Sequence, residues 1–295
     1  MALFECKLYS HVLHEPSQVA VYAPDRKNAG MSDFNVVLLL HGMCCDGKDF
    51  FMRTGVAAYA DAADAVLIAP SCGNNYFADG QNGLKYETYL FRELIPFLQK
   101  PFSLNTSREK NFILGTSMGA FAAVRLGLTY PDRFKAVCSL SAPLDLKTAV
   151  ETLRDNIRDC RRRAFCSVYG SCEQFGGSSA DILHLIERTP PATAPFLWLY
   201  VGRNDPLLQI NKQTAEKIRE KGFALSLETD DGAHDWASWD RQAKRLVRGK
   251  IIFRNITRLK RTRKRPFCRM RLMSNLGENA PNRLTNRPET LIIIV

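Results

Sequence analysis

The chain has 295 residues, 45% of them hydrophobic and 24% charged, and a formal net charge of +11, which suits one large core or two modest ones. No run of about 18 apolar residues occurs, which excludes a membrane-spanning helix. The opening Met1-Ala2-Leu3-Phe4-Glu5-Cys6-Lys7 lacks the basic-then-apolar pattern of a secretory signal.

Apolar runs at residues 19–22, 36–40, 66–69, 112–114, 136–140, 196–201 and 224–228 predict strands. Val36-Val37-Leu38-Leu39-Leu40 is apolar at every position, as a strand covered on both faces should be. Amphipathic stretches at 86–99, 121–128 and 213–221 predict helices. In the first, Tyr89, Leu90, Glu93, Leu94 and Phe97 fall at helical spacing. This alternation predicts an α/β protein with a mostly parallel sheet and right-handed crossovers. Its chemistry should sit at the carboxyl ends of the strands.

Residues 145–195 break the rhythm. They hold a helix-like 146–159, the basic Arg161-Arg162-Arg163 and a loop-like 170–179. They read as an insertion lying over the site, or equally as an ordinary crossover helix plus a surface loop. Beyond residue 248 the composition changes. Of the 41 Lys and Arg, 16 fall in residues 241–295, against only 2 of the 30 Asp and Glu. The body is thus nearly neutral, and the basicity belongs to the tail. The organisation predicted is a catalytic unit over 1–248 and a basic extension over 249–295. Such a tail can bind nucleic acid or an anionic membrane; a solvated, disordered tail is the ordinary alternative.

The nine cysteines (Cys6, Cys44, Cys45, Cys72, Cys138, Cys160, Cys166, Cys172 and Cys268) are odd in number, and none forms a C-x-x-C pair. No Cys/His set has zinc spacing, so no metal site is expected. Reduced thiols in a cytoplasmic protein are the expectation. Cys160, Cys166 and Cys172 are close enough in sequence to bridge in an oxidising compartment.

Gly115-Thr116-Ser117-Met118-Gly119 reads G-x-S-x-G, after a short strand and before a helix. This is the context in which a serine hydroxyl is pushed out at a sheet's edge as a nucleophile, with small residues flanking a tight turn. Such a serine needs a base, and the base an orienting anion. Of the five histidines, His234 lies just beyond the last strand, in Gly232-Ala233-His234-Asp235-Trp236. Asp205 follows the strand at 196–201 after a short turn and is the candidate acid. Asp145 is its rival, although capping the helix that starts there is an equally ordinary duty. The oxyanion of an acyl-transfer intermediate needs two amides. Met118 opens the elbow helix and supplies one. The second should come from His41-Gly42-Met43-Cys44-Cys45, with Met43 first and Cys44 next. Gly42 is expected to let this loop turn inward, and His41 to brace it.

Together, His41-Gly42-Met43, Gly115-Thr116-Ser117-Met118-Gly119, Gly202-Arg203-Asn204-Asp205 and Gly232-Ala233-His234-Asp235-Trp236-Ala237-Ser238-Trp239-Asp240 resemble the tributyrin-esterase-like branch of the esterase D family. That branch groups with S-formylglutathione hydrolases, feruloyl esterases and mycolyltransferases. The resemblance covers about residues 3–246. It implies the α/β-hydrolase fold, with a mostly parallel central sheet, helices on both faces and a small insertion between strands 6 and 7. It also implies a serine carboxylesterase for short acyl groups of the acetyl or butyryl type, with no cofactor and no metal. The implied triad is Ser117, Asp205 and His234. The substrate would be a small-molecule ester, and a homo-oligomer is left open.

Two departures stand out. Ala120 replaces a second glycine, and the end beyond residue 247 does not resemble the family. Three alternatives remain. Cys45 sits where the S-formylglutathione hydrolase branch often carries a cysteine, which would suit a thioesterase. Tyr76-Phe77, Trp236 and Trp239 would suit a feruloyl or acetyl-sugar esterase, or a packed core. The tail would suit a nucleic-acid- or membrane-binding protein on a hydrolase scaffold.

Overall fold

A computed structural model of the chain describes residues 1–24, 33–153, 156 and 158–248. The basic tail, 249–295, lies outside the described residues, and with it every reading attached to its order or its binding. A long hairpin opens the chain, β1 (Ala2–Ser10) and β2 (Glu15–Ala23). Next come β3 (Asn35–Leu40), the short helices α1 (Asp49–Arg53) and α2 (Val56–Ala63), and β4 (Ala65–Pro70). A composite helix follows: α3 (Tyr86–Thr88), a π-helical stretch (Tyr89–Leu94) and α4 (Ile95–Gln99). Then β5 (Asn111–Thr116) leads into α5 (Met118–Thr129), followed by β6 (Ala136–Leu140).

Four short helices separate β6 from the next strand: α6 (Leu146–Glu151), α7 (Cys160–Tyr169), α8 (Cys172–Phe175) and α9 (Ile182–Arg188). The chain closes with β7 (Phe196–Tyr200), α10 (Leu208–Glu220), β8 (Leu225–Glu228) and α11 (Trp236–Ala243), which runs into a π-helical turn (Lys244–Arg248).

The eight strands form one sheet in the order β1-β2-β4-β3-β5-β6-β7-β8. β1 and β2 pair antiparallel, as do β2 and β4, and every pairing from β4 through β8 is parallel. Alternation along each strand sends side chains to two separate cores. Leu38, Leu40, Ile113 and Val137 pack on one face with α5 and the composite helix; Val37, Leu39, Leu114 and Cys138 pack on the other with α2 and α11. This is the α/β-hydrolase architecture.

Three expectations need correction. β1 was not expected, because its side chains are mostly half-exposed or exposed on both faces and give no clean alternation. The helix expected over 146–159 ends at Glu151, where α6 stops, and α7 begins only at Cys160. In the composite helix the expected apolar spacing slips by one. The π stretch, with its wider i→i+5 repeat, leaves Phe97 56% exposed and brings Leu98 into the core. Glu93 does not face a neighbouring turn. Its carboxylate accepts from Ser10 Oγ and from the amides of His11 and Val12, and so ties down the β1–β2 turn.

α5 is buried from Met118 through Leu128, Arg125 included. The Arg125 guanidinium pairs with Glu87 and donates to the Phe77 carbonyl at 2.9 Å, while Tyr130 Oη donates to Glu87 at 2.7 Å. This network fastens the elbow helix to the 71–86 loop. Glu87→Ala would leave a buried guanidinium without its anion, and is expected to cost about 3–5 kcal/mol of unfolding free energy. Urea denaturation checks this, and a loss under about 1 kcal/mol would show that the pair contributes little.

Candidate active site

The sharp turn between β5 and α5 sets the position of Ser117. Its backbone is at φ 52° and ψ −115°, a conformation that L-residues avoid. The glycines on either side make the turn possible. A Cβ on Gly115 would lie 2.1 Å from the Gly119 carbonyl oxygen, and one on Gly119 would lie 2.0 Å from that of Leu40. No side chain fits at either place, so the spacing G-x-S-x-G is a packing requirement. Ser117 N–H donates to the Leu140 carbonyl at 2.8 Å, which pins the turn to the end of β6.

The loop after β8 brings His234 over the serine. His234 Nε2 is 2.9 Å from Ser117 Oγ, and Nδ1 is 2.9 Å from Asp205 Oδ2. Asp205 follows β7, its side chain wholly buried, and its other oxygen accepts from the Leu207 amide at 2.9 Å. Burial alone would raise this carboxyl. The hydrogen bond and charge of His234, the Leu207 amide and the Ser141 hydroxyl outweigh burial and hold it below the usual carboxylate range. The loops that carry Asp205 and His234 touch closely, since a Cβ on Gly202 would lie 2.1 Å from the Gly232 carbonyl oxygen. The structure thus brings together Ser117, His234 and Asp205. It sets Asp145 apart as the N-cap of α6, accepting from the Thr148 amide at 3.0 Å and the Thr148 hydroxyl at 2.9 Å.

The G-x-H-x-W-x-x-W pattern serves positioning. Asp235 caps α11 by accepting from the Ser238 amide, and the Ser238 hydroxyl accepts from Ala233 N–H. Trp239 is buried edge-on against the His234 ring, centroids 5.1 Å apart, and donates its indole N–H to Ser141 Oγ at 3.0 Å. Trp236 packs against Trp239 and Phe50. Of the aromatics considered for a sugar or phenolic ring, Phe77, Trp236 and Trp239 do not line the cavity beside Ser117, whereas Tyr76 does. Ser141, at φ 61° just past β6, links Trp239 to Asp205. Sequence reading missed it, and a lone serine after a strand gives no signal that would have found it.

The loop after β3 faces the elbow. The Met43 amide makes no hydrogen bond among the described residues, and Met118, first in α5, has no intrahelical acceptor for its own. The Cys44 amide is taken by Asn74 Oδ1 at 2.8 Å. Gly42 needs neither an unusual φ nor missing volume, since a Cβ there would meet only ordinary contacts at 3.4 Å and beyond, so the turn expected of it does not depend on glycine's freedom. His41 does brace the loop. Its Nδ1 is 2.7 Å from the Gly42 carbonyl oxygen, and its Nε2 accepts from Cys72 N–H at 3.0 Å. That pairing defines a neutral ring protonated on Nδ1.

A cavity of about 300 Å³ opens on Ser117 and His234. Its walls are mostly apolar, with Leu146, Val150 and Leu153 from the 145–195 segment and Leu207 and Ile210 at the start of α10, and Tyr76 and Thr152 line it too. Arg161 stands at its edge, held by two bonds to Asp159 at 2.9 and 2.6 Å. Among the described residues no cluster of three or more His, Cys, Asp or Glu could hold a metal ion, and no helix is long and apolar enough to cross a membrane.

A serine on a strained strand–helix elbow, an imidazole after the last strand and a buried carboxylate after β7 mark an α/β-hydrolase of the serine type. Residues 10–248 match the family model Esterase, described as "Putative esterase", and the chain belongs to that family. It is a carboxylic ester hydrolase, and its substrate is a small-molecule ester. An acetyl esterase of Caldicellulosiruptor saccharolyticus is 26% identical over 257 residues, which cover 82% of this chain and 95% of that one. Among solved structures, the fluorophosphonate-binding serine hydrolase FphF of Staphylococcus aureus superposes with a TM-score of 0.77 at 22% identity, covering 86% of this chain and 99% of its own. The S-formylglutathione hydrolase FrmB of the same organism superposes with a TM-score of 0.74 at 23% identity, covering 83% and 97%. These two likenesses are of fold.

Burial lowers the pKa of His41, against the raising effects of the Gly42 carbonyl, Asp46 and Asp49. A folded-state value below the unfolded one means that stability is full above about pH 6.5 and is lost as pH falls through the lowered value. His41→Gln keeps a donor and an acceptor but cannot take up the proton. The melting temperature of this variant is expected to fall less steeply than the parent's between pH 6.5 and 5. Equal slopes would remove His41 from the acid response.

Proposed function

We propose that the chain hydrolyses short-chain acyl esters through an acyl-enzyme, with Ser117 as nucleophile, His234 as general base and acid, and Asp205 as the anion that orients it. The single observation that supports this most is the unbroken hydrogen-bond chain from Asp205 through His234 to Ser117. Ser117 Oγ attacks the ester carbonyl as its proton passes to His234 Nε2. The negative oxygen is received by the amides of Met43 and Met118. His234 returns the proton to the departing alcohol, and water repeats the sequence to release the acid. Asp205 keeps the Nδ1–H tautomer and stabilises the imidazolium. Met43 is favoured over Cys44 because the Cys44 amide is already bonded.

The catalytic unit is residues 1–248, with 145–195 as an insertion that walls the cavity. The span of the family match supports the first assignment, and the lining residues support the second. A cavity of about 300 Å³ holds on the order of ten water volumes, which suits an acetyl or butyryl group with part of its alcohol. The acetyl esterase relative agrees with that size. Burial pushes the Cys45 thiol up to about 11, with Asp49 adding to it. This describes a packed, unreactive thiol, and so gives no support to a thioesterase built around it.

Ser117→Ala is expected to lower kcat for p-nitrophenyl acetate by about 10⁴-fold or more, and Asp205→Asn by about 10⁴-fold, both with unchanged circular dichroism. Retention of near-parental turnover by either variant would refute its assigned role. In an acyl series, kcat/KM should be higher for acetyl and butyryl than for octanoyl esters. Faster hydrolysis of S-formylglutathione than of either short ester would move the assignment to a thioesterase.

A further inference from the structure

β1 closes one side of the sheet, and among the described residues no strand pairs with its outer edge. It is nine residues long, carries no proline and keeps one register with β2 from Ala2 to Ser10, without a bulge. Exposed strand edges are usually shortened, kinked or interrupted, because their free N–H and C=O groups invite another strand. This edge is none of these, and it also shows apolar side chains to solvent: Phe4 is 41% exposed and Tyr9 57%.

The neighbouring pairings fix which backbone groups point outward. Ser71 N–H donates to the Gln18 carbonyl, so Gln18 turns its peptide groups toward β4. Such groups alternate along a strand. Val19 therefore turns toward β1, where it meets Cys6, its register partner. The outward groups of β1 are then those of Leu3, Glu5, Lys7 and Tyr9. A second antiparallel β1 bonds to them only by presenting the same four. The two-fold registers that keep most of the strand are centred on Glu5, Cys6 or Lys7. The first sets Glu5 against Glu5 and the last Lys7 against Lys7, and like charges directly opposite are destabilising. Centring on Cys6 sets Glu5 against Lys7, Leu3 against Tyr9 and Phe4 against Leu8, each twice, and uses all nine residues.

From this self-complementarity we propose that two copies of the chain form a two-fold dimer, their β1 strands paired antiparallel about Cys6 into one continuous sheet. Glu5 already has Lys48 Nζ at 3.5 Å in its own chain, and Lys7 is exposed with no ion pair among the described residues. Pairing gives each Glu5 a second cation and each Lys7 an anion. It also covers Phe4, whose ring now meets only Phe102 edge-on, at 5.2 Å between centroids. Cys6 faces its own image as a non-hydrogen-bonded pair, with Cα atoms about 4.5 Å apart. That lies inside the span of about 4.4–6.8 Å that a disulfide bridges, so the free Cys6 thiol reports the register, although the dimer needs no such bond. β1 lies at the far side of the sheet from β7 and β8, and the dimer does not depend on the catalytic reading.

The test follows the mass of the full-length chain by sedimentation equilibrium across a concentration series. The parent should reach twice the chain mass. Glu5→Lys and Lys7→Glu should each weaken self-association about tenfold or more, because either one turns both Glu5–Lys7 pairs into like charges. The double variant should associate like the parent, and so should an equal mixture of the two single variants. Oxidation with copper phenanthroline should yield a peptide joining Cys6 to Cys6. Cys6→Ser should lose that peptide and remain a dimer. Unchanged circular dichroism in every variant separates a lost interface from a lost fold. The proposal is overturned if the parent stays monomeric, if its dimer is indifferent to charge reversal, if the mixture fails to associate, or if the oxidised dimer lacks the Cys6–Cys6 peptide.

Discussion

Everything at this site depends on one close approach of backbone. Between β5 and α5 the chain reverses so tightly that Gly115 and Gly119 have no room for a side chain, and Ser117 is forced to positive φ. The strain of such a residue is on the order of 1–3 kcal/mol. It is sustained because both sides of the turn are held: Ser117 N–H on Leu140, and a helix buried along almost its whole length. The hydroxyl is therefore fixed before any substrate arrives. The histidine and aspartate loops, each leaving a different parallel strand, need only meet it.

The second constraint is the loop opposite. A free amide at Met43 requires that its neighbours be engaged elsewhere, and they are. Cys44 N–H is bonded to Asn74, and His41 uses both ring nitrogens to tie the loop to Gly42 and Cys72. The 71–86 loop that supplies Asn74 and Cys72 is in turn fastened to α5 through Phe77, Arg125 and Glu87. The Ser117 elbow and the Met43 loop thus share one rigid support.

The parts of this arrangement written in local sequence were readable. Ser117, Asp205 and His234 each follow a strand, apolar in β5 and β7 and half-exposed in β8, and the strand order places those ends together. The parallel strands were legible because burial on both faces leaves uninterrupted apolar runs, as in Val36 to Leu40. What escaped lacks such a signal. β1 is an edge strand with polar residues on both faces, and its place is set by pairing with β2. The slip from Phe97 to Leu98 comes from a π stretch that periodicity at 3.6 residues cannot anticipate. Ser141 acts only through Trp239 and Asp205, which are distant in the chain. The family resemblance supplied what spacing alone could not, the class of ester, whereas the positioning contacts of Trp239 and Ser238 came only with the fold.

The walls of the cavity beside Ser117 come from loops and helices outside the sheet, chiefly Leu146, Val150 and Leu153 on one side and Leu207 and Ile210 on the other. None of these residues bonds to Ser117, His234 or Asp205 among the described residues, apart from the Leu207 amide, whose donor is backbone and indifferent to its side chain. Preference and reactivity are therefore separable inheritances in this molecule. A lineage, or an engineer, can reshape what is accepted by exchanging five aliphatic side chains on the rim while leaving Ser117, His234 and Asp205 untouched.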